Sequence, residues 1–362
     1  MKILITGNMG YVGPGVVHEL RNAFPLATLV GYDMGYFGAC LTHTEVLPES
    51  KLDLQIFGDV RSMSREVMES VDAVVHLAAI SNDPMGNRFE DITLDVNYHS
   101  SVKVAKLAKE AGVRSFVFAS SCSVYGAAGD AAKTEDSELN PLTAYARSKV
   151  FTEKELEPLA DDQFTVTCLR FATACGMSNR LRLDLVLNDF VASAVSSGRI
   201  SILSDGSPWR PLIHVKDMAR AIVWAIGRAP ENGGRFLAVN TGSNQWNYQV
   251  WELAEAVVSV IPGTTVSLNQ EAPADKRSYR VNFNLFSKLA PDHQPLYSLK
   301  QAIRELYVAL VAMDFKNEDF RNSHYMRLKI LTSLQDNMYL SPELHWIQKT
   351  SKSDTATEVE TI

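Results

Sequence analysis

The 362 residues are 46% hydrophobic and 21% charged, ordinary values for a globular protein, and suffice for one large domain or two coupled ones. A net charge of −7 excludes the broad basic field that nucleic acid or an anionic membrane would need, although local basic groups can still grip a small anion. The four cysteines are scattered without a Cys-x-x-Cys pair, the eight histidines show no ligand spacing, and no apolar run reaches membrane-spanning length. A cytoplasmic protein is predicted, with neither disulfide framework nor metal site, and with no nucleic-acid or membrane partner.

The chain opens on "KILITG", a strand pattern rather than a signal peptide. Strands are predicted at Lys2–Thr6, Ala27–Tyr32, Leu52–Phe57, Ala73–Leu77, Ser115–Ala119 and Phe164–Leu169. Amphipathic stretches lie between them, such as "SVKVAKLAKEAG", which ends on Gly112 as helices often do. This alternation predicts an α/β fold, a Rossmann-type doubly wound parallel sheet covered on both faces. Residues 1–170 form its dinucleotide-binding domain, to which later segments return. Residues 171–312 are expected to form a smaller substrate-binding lobe, with helices at Leu181–Gly198, Gln245–Val260 and Ser298–Met313. A helical appendage at 313–350 and a polar, disordered tail at 351–362 complete the expectation.

The stretch "ITGNMGYVGPG" follows the first strand and opens a helix, with Gly7, Gly10 and Gly13 spaced one residue wider than the usual dinucleotide pattern. Glycines let a backbone turn tightly against a pyrophosphate, whose charge the helix N-terminus meets. Gly7, Asn8, Met9, Gly10, Tyr11, Val12 and Gly13 are therefore cofactor candidates. Asp33 ends the second strand, twenty residues after Gly13, where a carboxylate accepts hydrogen bonds from ribose hydroxyls and repels a 2′-phosphate. No arginine follows it, which favours NAD over NADP. "GDV", with Asp59 and Val60, and "HLAA", with Leu77, Ala78 and Ala79, close two later strands along the cofactor's path.

In "TAYARSK", Tyr145 and Lys149 stand one helical turn apart, after a predicted helix start at Asn140-Pro141. A tyrosine with an ordinary pKa of about 10 is a poor base at neutral pH, and lowering it by three units takes about 4 kcal/mol. One cation about 4 Å away supplies roughly that much at an effective dielectric near 20. "ASSCSVYG" follows the fifth strand, so Ser120, Ser121 and Ser123 leave the sheet at the edge where open α/β folds bind ligands. A hydroxyl there can donate to a substrate oxygen whose proton the tyrosine moves.

The order "TGNMGYVG", Asp33, "HLAA", "SSCSVYG", "YARSK" and "DGSPWRPLIHVKDMARA" resembles the extended short-chain dehydrogenase/reductase family, specifically its NAD-dependent nucleotide-sugar epimerases and dehydratases. That resemblance spans residues 1 to about 312. It implies Tyr145 as general acid/base, Lys149 as its tuner and a ligand of the nicotinamide ribose, and Ser121 as the group polarising the sugar oxygen. Ser120 joins the cofactor set, and Asn97 matches a position that supports the active site. A nucleotide-diphosphate sugar is the implied substrate, and a homodimer the implied assembly.

Epimerases, dehydratases and ketoreductases of this family share the 4-keto stage. Dehydratases typically carry an Asp-Glu pair directly after the catalytic hydroxyl residue, and decarboxylases a glutamate, whereas this chain has Cys122 and Ser123. Ketoreductases more often use NADPH, against which Asp33 argues. The favoured expectation is therefore an epimerase acting at carbon 4, with a 4,6-dehydratase or 4-ketoreductase as the alternative and a non-catalytic NAD-binding protein as the remote one. Cys122 is either an acid/base one residue out of place or a small buried filler. For the substrate, the resemblance points to Ser123, Thr173, Asn188, Arg210, Arg277 and Arg280, with Arg180 and Arg182 as further cations. Thr173 stands where the family usually has asparagine, so sugar preference does not carry over.

Overall fold

The structure, a computed structural model, describes residues 1–347 except 43, 82, 128, 130 and 270–277. Arg277 and the tail at 351–362 thus lie outside the described residues. In chain order the strands are β1 (Lys2–Thr6), β2 (Thr28–Asp33), β3 (Leu54–Phe57), β4 (Ala73–His76), β5 (Ser115–Ser121), β6 (Thr165–Phe171), β7 (Thr173–Cys175), β8 (Arg199–Ile202), β9 (Trp209–His214), β10 (Phe236–Thr241), β11 (Asn247–Gln249) and β12 (Thr265–Leu268). The helices are α1 (Gly13–Ala23), α2 (Asp83–Arg88), α3 (Glu90–Leu94), α4 (Ser100–Glu110), α5 (Ala144–Leu156), α6 (Val186–Ser197), α7 (Val215–Gly227), α8 (Val250–Val260), α9 (Asn284–Leu289), α10 (Leu299–Ala312) and α11 (Arg327–Asp336).

Seven strands form one parallel sheet in the order β10-β6-β5-β4-β1-β2-β3. The winding reverses between β1 and β4, and a crevice opens there at the carboxyl ends of the strands. The pattern of the sequence explains the placement. Every residue of β6, "TVTCLRF", is buried, as a strand covered on both faces requires, while edge strand β3 keeps Leu54 and Phe57 exposed. Two apolar cores line the two faces of the sheet. β10 returns from the second half of the chain to pair with β6. Away from the sheet, β9 joins β7 and β11 in a three-stranded sheet, and β8 pairs with β12.

Three helical expectations change. Helix α6 starts at Val186 rather than Leu181, because Arg182 and Asp184 are held in a side-chain ion pair and the amide of Leu183 donates to the carbonyl of Tyr325. Helix α8 starts at Val250 behind a capping box of Gln249 and Glu252, since Asn247–Gln249 is spent pairing with β9. Residues 313–347 are helical only in α11 and one short turn at Phe320–Asn322, so the expected helical appendage is helical in part. Among the described residues no helix is long and apolar enough to cross a membrane.

Candidate active site

A cleft of about 1020 Å³ runs along the carboxyl ends of the strands. Gly7, Gly10, Tyr11 and Val12 border it at the turn between β1 and α1. Gly7 has φ +74°, and a Cβ there would sit 2.6 Å from the amide nitrogen of Ala78. At Gly13 a Cβ would lie 1.9 Å from the carbonyl oxygen of Asn8. Side chains are sterically excluded at both positions, which leaves a backbone cradle at the N-terminus of α1. Asn8, Met9 and Gly13 shape the turn from behind. Asn8 is buried with its amide donating to Gln55 Oε1 at 2.6 Å, and the backbone of Met9 donates to Asp33 Oδ2 at 2.9 Å.

Asp33 also accepts from the amide of Gly35 at 2.8 Å, so its carboxylate is oriented by its own loop and lines the cleft. Burial pushes its pKa up, against the pull of those two amides. Each oxygen retains lone pairs for ribose hydroxyls. Asp59, Val60, Leu77, Ala78 and Ala79 line the same cleft. Asp59 is committed further than the sequence suggested. Its carboxylate takes the backbone and Nε of Arg61 at 2.9 and 2.8 Å, and lies 3.2 Å from His345 Nδ1.

Tyr145, Lys149, Ser121 and Ser123 all line this cleft. Helix α5 carries the first two and starts on Thr143, whose hydroxyl accepts from the amide of Ala146. The start expected at Asn140-Pro141 is thus three residues early; a threonine oxygen caps the helix instead. Lys149 Nζ lies 5.5 Å from the centre of the Tyr145 ring and 4.6 Å from that of Phe118, and donates to the carbonyl of Ala119 at 2.7 Å. Burial lowers its pKa to about 8, opposed by the charge of Glu153. Two of its three donors remain for a ribose.

Ser121 caps the turn after β5, its Oγ accepting from the amide of Ser123 at 3.1 Å, so its proton is available to donate. The buried Ser123 Oγ has no partner among the described residues. Ser120 lines the cleft as well, but its hydroxyl is committed within the fold. Its hydroxyl donates to Glu153, which is clamped by Arg170 at 2.7 Å in a buried pair. That pair ties α5 to β6, which fixes the tyrosine helix over the strand ends. Asn97 grips Ile80 from both sides, accepting from its amide at 2.7 Å and donating to its carbonyl at 2.9 Å, and so sets the loop after β4.

The substrate candidates divide. Thr173 and Arg210 line the cleft. Arg280 lies outside that lining, its guanidinium 4.9 Å from the ring centre of Trp209. Asn188 corrects the sequence expectation. It is fully buried, its oxygen accepts from Gly176, and its two amide hydrogens go to Tyr11 Oη and the carbonyl of Arg182. No donor is left for a sugar. Cys122 is the filler of the two alternatives: it is buried, its thiol donates to the carbonyl of Arg170 at 3.0 Å, and burial pushes its pKa up.

Sequence reading missed several members of the cleft, among them Tyr36, Met85, Asp184, Tyr279 and Arg327. Arg182 forms a bidentate pair with Asp184 at 2.6 and 3.0 Å and reaches Ser81 at 3.0 Å. The Arg-x-Asp spacing was the one local signal for this pair. Nothing local marks Arg327, which the fold brings in from the far end of the chain.

The model of the NAD dependent epimerase/dehydratase family matches residues 3–242. The chain belongs to that family. Membership makes it an enzyme of an NAD-dependent kind, and the cradle at Gly7–Gly13 with Asp33 fits the dinucleotide sterically and in hydrogen bonding. A UDP-glucose 4-epimerase of Lactobacillus helveticus is 27% identical over 285 residues, 73% of this chain and 84% of the relative. An uncharacterized UDP-glucose epimerase, YtcB, of Bacillus subtilis (strain 168) is 26% identical over 237 residues, 63% of this chain and 73% of its own. Two solved structures share the fold. TunA, described as an NAD-dependent NDP-hexosamine 5,6-dehydratase, gives a TM-score of 0.74 at 23% identity, covering 87% of this chain and 99% of its own. MoeE5, solved with UDP-glucuronic acid and NAD, gives 0.72 at 24% identity, covering 86% and 100%.

Proposed function

We propose that the protein is a nucleotide-sugar epimerase acting at carbon 4 through a transient 4-keto sugar. The observation that carries this reading is the convergence of Ser121, Tyr145 and Lys149 on the cleft bordered by the glycine loop, with the Lys149 ammonium 5.5 Å from the Tyr145 ring centre. NAD supplies the hydride acceptor and donor. Tyr145 removes the proton from the sugar 4-hydroxyl as the hydride leaves, and returns it when the hydride comes back to the opposite face. Lys149, charged below a pKa of about 8, stabilises the phenolate. Ser121 donates to the sugar oxygen, and Arg210 answers the diphosphate charge.

Epimerisation is favoured over dehydration because the residues after Ser121 offer no carboxylic acid. Cys122 faces away into a buried hydrogen bond, and Ser123 is a neutral hydroxyl. The relatives described as UDP-glucose 4-epimerases support this choice and make UDP-hexoses the first substrates to try. The test is incubation with UDP-, GDP-, CDP- and dTDP-hexoses without added reductant, followed by NMR. A stereoisomer of unchanged mass is expected; loss of a water molecule instead would replace the proposal with a dehydratase. Tyr145→Phe is expected to retain folding and NAD binding while turnover falls at least about a hundredfold. Near-normal turnover in that variant would remove Tyr145 from its role.

A further inference from the structure

The chain after α10 is fastened to the dinucleotide end of the cleft by contacts that neither the catalytic groups nor the glycine loop uses. Met326, Arg327 and Leu331 line the cleft. Beyond α11 the chain turns back, and residues 339–346 attach to the loops that follow β2 and β3. The indole Nε1 of Trp346 donates to the carbonyl of Met34 at 2.7 Å, and its ring lies 5.7 Å from that of Tyr36. Arg61 donates to the carbonyls of Glu343 and Leu344 at 2.7 and 3.2 Å while paired with Asp59 at 2.7 Å. Tyr36 Oη donates to the same Leu344 carbonyl. Met34, Tyr36 and Asp59 all line the cleft.

Two features make this attachment separable. Leu340 and Leu344 pack with Ile80, Met85, Phe89 and Leu331 in a small cluster of their own, apart from both cores of the sheet. A segment held by a satellite cluster can open while the main cores stay folded. Leu344 also has φ +61° and Met338 φ +54°, conformations that side-chain-bearing residues avoid. The carbonyl of Leu344 is held in that conformation by two donors, Arg61 and Tyr36, both from the dinucleotide half.

We propose that residues 338–346 form a strap behind the loops after β2 and β3, which line the adenosine end of the cofactor site, and that its detachment frees those loops for NAD to enter or leave. This rests on NAD occupying the cleft, with its adenosine ribose at Asp33; Met34 and Tyr36, the strap's anchors, directly follow that residue in the chain. An enzyme that removes and restores the same hydride must hold its dinucleotide through both halves of the reaction. A closed strap provides that retention, and bound NAD in turn favours the closed strap.

The experiment loads the full chain with NAD, adds an excess of radiolabelled NAD and follows exchange in the parent, in Trp346→Ala and in His345→Ala/Trp346→Ala. Neither residue lines the cleft. Exchange at least about tenfold faster in the variants is expected, because loosening a closure acts on the off-rate. Amide hydrogen exchange in the parent provides a second reading: protection at residues 339–347 is expected to rise about tenfold when NAD is added. Exchange within about twofold of the parent in both variants, or unchanged protection with NAD bound, overturns the strap alone. A parent that takes up no NAD overturns the cofactor reading and the strap with it.

Discussion

The backbone turn of Gly7 to Gly13 is fixed by neighbours within the first 78 residues, Asn8, Asp33 and Ala78, although the Tyr11 side chain reaches on to Gly176 and Asn188. The arginine-bearing side is assembled from much farther apart. Arg180 pairs with Glu49, 131 positions away, Arg182 reaches Ser81 across 101, and Arg327 holds the carbonyl of Arg180 across 147. The first region depends on what a backbone can do without side chains; the second depends on buried charges finding partners that only the finished fold supplies. Substitutions should therefore fail in different ways on the two sides.

The largest effect is expected at Gly13→Ala, where the added carbon would lie 1.9 Å from the carbonyl oxygen of Asn8. The turn has to move, and a loss of NAD affinity of about 4 kcal/mol or more, measured by calorimetry, is the expected result. Retained affinity would show that the cradle tolerates a side chain. Arg182→Met comes next. It removes the bidentate partner of the Asp184 carboxylate, whose side chain is 9% exposed, and a loss of about 3 kcal/mol in urea unfolding is expected. An unchanged midpoint would mean that this wall contributes nothing to folding.

Asp33→Ala should cost about 1.4 kcal/mol, roughly tenfold, in NAD binding and flatten the preference over NADP, since it removes both an acceptor for ribose and a repeller of phosphate. Parallel titrations with the two dinucleotides check this, and equal affinities in the parent would count against the ribose argument. The smallest effect at neutral pH, and one that grows only in acid, concerns His76, on the glycine side. Its ring accepts from Thr6 and donates to Ser101, because the Ser101 hydroxyl is already spent on the carbonyl of Asn97. Burial, then the charge of Lys149, lowers its pKa to about 3. The unfolded chain thus binds a proton below its ordinary pKa of about 6.5 that the folded chain refuses. Stability from this group is complete above that pH and falls by about 1.4 kcal/mol per unit as the pH drops toward 3. Denaturation at several pH values should show that slope, and His76→Gln should remove it.

The same division explains how much of the molecule was legible. Six of the seven strands of the parallel sheet were readable to within two residues because burial favours short runs of apolar and β-branched residues, as in "KILIT" and "AVVH", whereas the sequence reading sets no bounds for β10. Tyr145 and Lys149 were readable because one helical turn puts both on a face. Asn188 misled because its amide is consumed by Gly176, Tyr11 and Arg182, none of which its own surroundings in the sequence reveal. The appendage was legible only in part: α11 is helical as expected, whereas residues 339–346 take extended and turned conformations to reach Met34, Tyr36 and Arg61.

By itself the sequence determined the sheet, the glycine cradle and the spacing of the phenol and ammonium groups, because each follows from steric or periodic constraints acting over a few residues. The tertiary structure decided which serine hydroxyl is committed elsewhere, that Cys122 is inert, which cations line the cleft and where the chain's far end comes to rest. Those outcomes turn on buried polar groups that must find partners. Such a partner is specified by proximity in space, which no local pattern encodes.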